Sequence, residues 1–133
     1  MILLDSHVAV WFHLGSSKLG RSAVREIGRL VPQGDVHLSP LSFFELAFVS
    51  SQGSLRGLGD IDELRSAIAS AGVKEVAVDG NVSIRASQIR EALIDPFDAL
   101  IVATADVHNL TLITADERIL AWRGRVKRID ARK

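Results

Sequence analysis

Short hydrophobic runs of β type alternate with helical patterns along the chain, and this alternation restricts the possible folds more than any other feature of the sequence. The runs occupy residues 2–4, 36–39, 73–78, 110–114 and 126–129. Parallel strands need a long crossover between them, and that crossover is usually a helix. We therefore predict an α/β fold with a central, mainly parallel sheet.

The segments between these runs carry helical periodicity and helix boundary signals. A basic stripe runs along one face, and apolar residues recur at helical spacing on another, namely Ala23, Val24, Ile27, Leu30 and Val31. Further helices are predicted over residues 41–53, 60–72 and 81–90, and another begins near Asp95 and Pro96. The basic stripe consists of Arg21, Arg25 and Arg29.

The length and composition fit one compact domain. The chain has 133 residues, of which 47% are hydrophobic and 24% charged, and neither a repeat nor a linker interrupts it. We therefore expect a single domain over residues 1–133. The longest apolar runs fall short of the ~20 residues that a membrane span needs, so we expect a cytoplasmic protein without membrane contact.

The counts of cysteine and of charged residues exclude several classes of protein. There is no cysteine, which rules out disulfides, thiolate metal sites and cysteine nucleophiles. Sixteen basic residues balance sixteen acidic ones, so the whole chain lacks the positive excess that drives sequence-independent binding to duplex nucleic acid. Any metal ion must bind through carboxylates or histidines.

Acidic residues follow the predicted strands at one end of the sheet. Asp5 directly follows the first strand, Asp116 comes just past the end of the fourth, and Glu45 lies about one helical turn after the second. Asp98 opens the helix that begins near Asp95 and so faces the same side. Ligands of open α/β sheets bind at the carboxyl ends of the strands, so we expect these acids to converge. The predicted set, which we name the acid quartet, is Asp5, Glu45, Asp98 and Asp116.

A convergent acid quartet would need a cation at neutral pH. Two carboxylates about 4 Å apart repel by roughly 4 kcal/mol at an effective dielectric constant near 20. Hard divalent ions prefer oxygen ligands, and Mg²⁺ commonly joins a few carboxylates to a substrate phosphate. An acid-only site therefore points to Mg²⁺ or Mn²⁺ and to hydrolysis of phosphodiesters by a metal-activated water.

Each acid also has a structural alternative. Asp5 and Asp116 could be helix N-caps, and Asp98 could complete a capping box with Asp95. Glu45 could pair with a buried arginine. The four histidines lack metal-site spacing, which argues against zinc, and His7 is expected to be partly buried and hydrogen-bonded.

Four segments, in order, resemble the conserved blocks of PIN-domain proteins, especially the VapC-like toxins of bacterial toxin–antitoxin pairs. They read "MILLDSHVAVW", "LSFFELAF", "DPFDALIVATA" and "LTLITADERI", and they reach from Met1 to about Ile119. The resemblance implies a three-layer α/β/α fold with a central parallel sheet. It also implies an endoribonuclease that depends on Mg²⁺ or Mn²⁺.

Carried over position by position, the resemblance gives roles to individual residues. Asp5, Glu45 and Asp98 match the core metal-binding acids, and Asp116 matches a fourth, more variable one. Ser6 and Thr114 match hydroxyl residues that support these acids. Family members typically form homodimers and are silenced by a cognate antitoxin, so we expect both partners here, with RNA as substrate. The candidate RNA contacts are the basic stripe and the basic C-terminal segment from Arg118 to Lys133.

Two other functions remain open at this stage. A PIN-fold module could bind a partner without catalysis. An aspartate-dependent phosphatase or phosphoacceptor domain also places an aspartate after its first strand, but a haloacid-dehalogenase-like enzyme would need a second one where His7 stands.

Overall fold

The computed structural model describes residues 1–51, 59–89, 93 and 95–133. The strands in these residues form one wholly parallel sheet with the order β3-β2-β1-β4-β5, which confirms the predicted parallel sheet. Their bounds are β1 Ile2–Leu4, β2 Val36–Leu38, β3 Lys74–Glu75, β4 Thr111–Thr114 and β5 Arg128–Asp130. The edge strand β3 has only two residues, although six were predicted, and β5 at the other edge begins two residues late. An edge strand pairs on one side only, and short edge strands also limit unwanted pairing with other chains.

The helices in the described residues follow the predicted boundaries closely. They are α1 Ser6–Leu14, α2 Arg21–Leu30, α3 Leu41–Ser51, α4 Ile61–Ser70, α5 Gly80–Ile89, α6 Pro96–Val107 and α7 Glu117–Ala121, with a 3₁₀ turn at Val31–Gln33. The predicted ends at Gly53 and Arg90 lie outside the described residues. Helix α4 starts one residue later than predicted because Asp60 is its N-cap, whose side chain accepts a hydrogen bond from the Asp62 N–H.

The sheet is buried on both faces, which gives three layers. Ile2 and Leu4 of β1 pack into a core formed with α1 to α4, whereas Leu3 packs on the opposite side against α5, α6 and α7. Side chains of a strand alternate between faces, so a strand that is apolar throughout belongs in the middle of such a sheet. The predicted α/β/α fold is confirmed.

The central strands bring the start of α1 and the start of α7 together. Strands β1 and β4 are parallel neighbours with Leu4 beside Ile113, so both end at the same edge of the sheet. The Asp5 N–H continues the pairing by donating to the Ile113 carbonyl at 3.0 Å. Residues that follow these two strands therefore lie side by side. Within the described residues, none of the helices has the length and hydropathy needed to cross a bilayer.

Candidate active site

Asp5 and Asp116 both cap the helices that follow their strands. Oδ1 of Asp5 accepts the Ser6 N–H at 2.7 Å, and Oδ1 of Asp116 accepts the N–H groups of Arg118 and Ile119 at 2.8 and 3.3 Å. The capping alternative is therefore correct in geometry. Each cap uses Oδ1 of the carboxylate and leaves Oδ2 outside the cap. An aspartate can therefore cap its helix and still belong to a functional site.

Thr114 joins these two acids through its hydroxyl group. Its Oγ1 donates to Oδ2 of Asp5 at 2.6 Å and accepts the backbone N–H of Asp116 at 3.0 Å. Thr114 is fully buried and Asp5 is only 8% exposed. The hydroxyl predicted to support the acids thus fixes the orientation of one carboxylate and the start of the chain segment that carries the other.

A pair of buried serines connects α1 to Glu45 of α3. The Oγ atoms of Ser6 and Ser42 lie 2.7 Å apart, both residues are fully buried, and the Ser6 hydroxyl is close enough to the Glu45 carboxylate to oppose the rise in its pKa. A serine hydroxyl has one proton to donate. In the structure Ser6 donates this proton to Ser42 Oγ. In the alternative arrangement, which we name the serine relay, Ser42 donates to Ser6 and Ser6 donates to Glu45.

Ser42 is a part of this arrangement that the sequence reasoning missed. It lies three positions before Glu45, and residues at that spacing are neighbours on a helix. The available signal was a polar residue on the same side as an acid within an otherwise apolar helix. Its contact with Ser6, 36 positions away in the chain, could only come from the fold.

The start of α6 separates the roles of Asp95 and Asp98. Asp95 is the N-cap, and its Oδ1 accepts the N–H groups of Phe97 and Asp98 at 2.8 and 3.3 Å, with Pro96 in the first turn. The cap is thus formed by the Asp95 side chain on the helix backbone. The carboxylate of Asp98 lines a cleft instead of serving as the cap.

All four members of the acid quartet line this one cleft, which has a volume of about 330 Å³. We name it the acidic cleft, and its other lining residues are His7, Trp11, Asp95, Ala115 and Arg118. The convergence expected from the strand ends is present. Arg118, from the basic C-terminal segment, adds a cation to the wall.

The basic stripe lies outside the acidic cleft, and the expectation about His7 was wrong. Arg21, Arg25 and Arg29 are exposed on α2 and do not line the acidic cleft, and Arg29 forms a bidentate ion pair with Glu26. His7 was expected to be partly buried, but it is exposed beside the cleft. It is the second residue of α1, where the first turn of the helix turns it out of the core.

Burial and mutual repulsion change the protonation of the acid quartet. Burial, followed by the neighbouring Asp95, Asp116, Asp5 and Glu45 carboxylates, raises the pKa of Asp98 from its ordinary 3.8 to about 7. Burial also raises the pKa of Asp5, against the hydrogen bonds from Thr114 and Ser6. The pKa of Glu45 is raised by burial as well, and the bond from Ser6 opposes this. Burial and mutual repulsion therefore make it unfavourable for all of these carboxyl groups to be ionised together at neutral pH.

The donor chemistry of the cleft fits a hard divalent cation. Its acids offer carboxylate oxygens, which Mg²⁺ and Mn²⁺ prefer, and a cation would relieve the repulsion that raises the pKa of Asp98. In the described part of the chain, however, no three aspartate, glutamate or histidine side chains lie close enough together to hold a metal ion as they stand. Binding would require the carboxylates to reorient toward the ion.

A second cleft, of about 470 Å³, lies at the opposite edge of the sheet and has a different character. Arg125 and Lys127 line it, and its one lining acid, Asp106, is paired with Arg85. It has no excess of oxygen ligands for a metal ion. The acidic cleft is therefore the site whose chemistry needs explanation.

Two comparisons of the sequence with known proteins give matches over most of the chain. A family model described as PIN domain matches residues 2–123. Ribonuclease VapC22 of Mycobacterium tuberculosis is 29% identical over 126 residues, which cover 92% of this chain and 92% of that protein.

Solved structures share the fold at low sequence identity. VapBC2 from Rickettsia felis, bound to a DNA fragment from their promoter, aligns with a TM-score of 0.69 and 14% identity over 97% of this chain and 98% of that one. FitAcB from Neisseria gonorrhoeae gives 0.64 and 23% over 98% of both chains. A toxin–antitoxin complex from Klebsiella pneumoniae gives 0.62 and 20% over 91% of both. At these identities the likeness establishes the fold alone.

Proposed function

The chain belongs to the PIN domain family, and on that premise we propose that it is a metal-dependent endoribonuclease, the toxin of a toxin–antitoxin pair. The observation that carries the proposal is that all four members of the acid quartet line one cleft. Burial and the neighbouring carboxylates raise the pKa of Asp98 there to about 7. The similarity to Ribonuclease VapC22, and to chains solved in toxin–antitoxin complexes, supports RNA as substrate and an antitoxin as partner.

In this proposal Asp5, Glu45, Asp98 and Asp116 hold one or two Mg²⁺ or Mn²⁺ ions. A bound ion supplies Lewis-acid stabilisation of phosphate charge and lowers the pKa of a water molecule. The protein contributes orientation: Thr114 and Ser6 hold the two oxygens of Asp5, and the serine relay holds Glu45.

Two side chains of the cleft have roles in proton release and in phosphate binding. Asp98 is about half protonated near pH 7 and must release its proton from the carboxyl group before both oxygens can bind a cation. Arg118, on the wall of the cleft, offers a positive charge to the phosphate of the RNA backbone.

The partners and setting complete the proposal. We propose a cytoplasmic homodimer of single-domain chains that is inhibited by a cognate antitoxin. Arg21, Arg25 and Arg29 remain candidate RNA contacts outside the cleft. Arg21 and Arg25 suit this role better because Arg29 is already paired with Glu26.

Cleavage of RNA by the purified protein tests the proposal. We expect hydrolysis with Mn²⁺ or Mg²⁺, none with a chelator, and none from Asp5→Asn, which keeps a side chain able to cap α1. Asp62→Asn, on an exposed acid of α4, should cleave like the wild type. Equal metal-dependent cleavage by Asp5→Asn and wild type would refute the assignment.

The second candidate is a PIN-fold binding module without catalysis. It is favoured by one observation, namely that no three potential ligand side chains in the described residues stand at metal-binding distances. A thermal melt separates the two, because an ion that binds only the folded chain raises its melting temperature, whereas a vestigial site gives no shift. The phosphatase and phosphoacceptor alternatives belong to other families and have no support from the PIN domain match.

A further inference from the structure

Two phenylalanine rings are stacked beside the acidic cleft. The ring centroids of Phe44 and Phe97 are 5.7 Å apart and their planes differ by 27°. Phe97 is half-buried, whereas Phe44 is 62% exposed although one side of its ring rests on Phe97. The pair therefore presents a supported aromatic surface to the solvent.

The chain places this stack one residue away from two acids of the cleft. Phe44 directly precedes Glu45 on α3, and Phe97 directly precedes Asp98 on α6. The Phe97 N–H is also held by the Asp95 carboxylate at 2.8 Å. Glu45, Asp95 and Asp98 all line the cleft, so each ring belongs to a residue that directly precedes a lining acid, although neither Phe44 nor Phe97 itself lines the cleft.

A third aromatic side chain belongs to the cleft itself. Trp11 of α1 lines it together with Asp5 and His7, and it is half-buried. The acids are thus accompanied by aromatic rings from α1, α3 and α6. Aromatic rings beside a phosphate-binding site are how proteins hold single-stranded nucleic acid, since every base has a face that can stack.

We propose that the Phe44–Phe97 stack is a docking platform for an unpaired nucleobase of the RNA, next to the phosphate in the acidic cleft. The inference rests on the proposed ribonuclease function and gives it a specificity element. A phosphate and its own base are joined through one sugar, so a strand with a phosphate at Glu45 and Asp98 carries a base to the adjoining rings. A paired base is already stacked within its duplex, so the platform selects single-stranded segments.

Binding measurements test the proposal independently of cleavage. The probes are short single-stranded RNAs in Ca²⁺, one intact and a series in which a single abasic sugar is moved along the strand, with affinity read by fluorescence anisotropy. For the wild type we expect one abasic position to weaken binding about tenfold, the size of one stacked base. Phe44→Ala should bind intact RNA about tenfold more weakly and lose the sensitivity to that position, whereas Phe44→Trp should retain both.

The matched control is Ile84→Ala, which truncates a side chain of α5 that is 63% exposed and does not line the cleft. It should leave affinity and the abasic profile unchanged. If Phe44→Ala is misfolded by circular dichroism, the comparison of Phe44→Leu with Phe44→Trp replaces it.

Two results would overturn the inference. One is an abasic profile that is the same for wild type and Phe44→Ala. The other is a loss of dimer or antitoxin binding in Phe44→Ala with unchanged RNA affinity, which would make the stack a protein interface. The cleavage assay distinguishes failures: a wild type that cleaves, with Phe44→Ala unchanged in affinity and in KM, refutes only the platform.

Discussion

The Thr114 hydroxyl donates to Oδ2 of Asp5 at 2.6 Å, and both residues are buried. Thr114→Val keeps the shape of the side chain and removes the donor, which leaves a buried carboxylate oxygen without its partner. We expect the free energy of unfolding to fall by about 1–3 kcal/mol. Chemical denaturation measures this loss.

The same variant tests whether Thr114 orients Asp5 for catalysis. Metal-dependent cleavage should fall with the stability in Thr114→Val and return in Thr114→Ser, which restores a hydroxyl group. If Thr114→Ser behaves like Thr114→Val in both measurements, the methyl group of Thr114 matters more than its hydrogen bond.

The raised pKa of Asp98 predicts a pH dependence of stability in the absence of metal. The folded protein keeps a proton on Asp98 up to about pH 7, whereas the unfolded chain releases it near 3.8. The stability from this group is therefore fully present below pH 3.8 and is lost as the pH rises through 7. Asp98→Asn should then be more stable than wild type at pH 8 by about 1–2 kcal/mol, a value reduced for the partial exposure of the group.

Urea denaturation in chelator at pH 4 and pH 8 measures this difference. The advantage of Asp98→Asn should be nearly absent at pH 4, and Asp62→Asn controls for the loss of one exposed charge. If the wild type is as stable at pH 8 as Asp98→Asn, ionisation of Asp98 does not destabilise the folded protein.

Mn²⁺ should stabilise the wild-type protein because it relieves the repulsion within the acid quartet. Binding to the folded state alone adds about 2.7 kcal/mol when the free ion is at 100 times its Kd. We expect a rise in Tm with Mn²⁺ for wild type and Asp62→Asn, and little or none for Asp98→Asn. Equal shifts in all three proteins would place the ion elsewhere on the chain.

Ser42 should affect metal binding although its side chain touches Ser6 and not the cleft. Ser42→Ala removes the hydrogen-bond partner of the Ser6 hydroxyl, so the orientation of Ser6 beside Glu45 is no longer fixed. Loss of such an outer contact typically lowers metal affinity by about 10–100-fold. Titration with Mn²⁺ measures this directly.

Ser39→Ala is the matched control for Ser42→Ala. Ser39 is also fully buried, but its hydroxyl accepts the Leu41 N–H at the start of α3. Its loss should reduce stability and leave the Mn²⁺ affinity unchanged. Similar affinities for both variants would assign Ser42 a structural role only.

The sequence predicted the central sheet and the placement of the acid quartet because both follow from local rules. Leu3 and Leu4 belong to an apolar strand, and Asp5 comes directly after it, so parallel pairing alone brings Asp5 to the edge that Asp116 shares. The PIN domain match agrees with the resemblance in the four segments. The catalytic and metal-binding roles of these acids stay predictions.

What the sequence did not predict depends on contacts between distant segments. Ser42 is important because its hydroxyl contacts Ser6, 36 positions away in the chain. The exposure of His7 follows from its place in the first turn of α1. Strand β3 is short because it lies at the edge of the sheet and pairs on one side only. The apolar residues that follow it are therefore not part of the strand.

Asp5 and Asp116 also have a structural role that does not depend on catalysis, because each caps the helix that follows it. A related chain without catalytic activity would still be stabilised by both aspartates. Glu45, inside α3, and Asp98, inside the first turn of α6, are not N-cap residues. When related chains are compared, an acid at the positions of Glu45 and Asp98 is therefore the better marker of a working site.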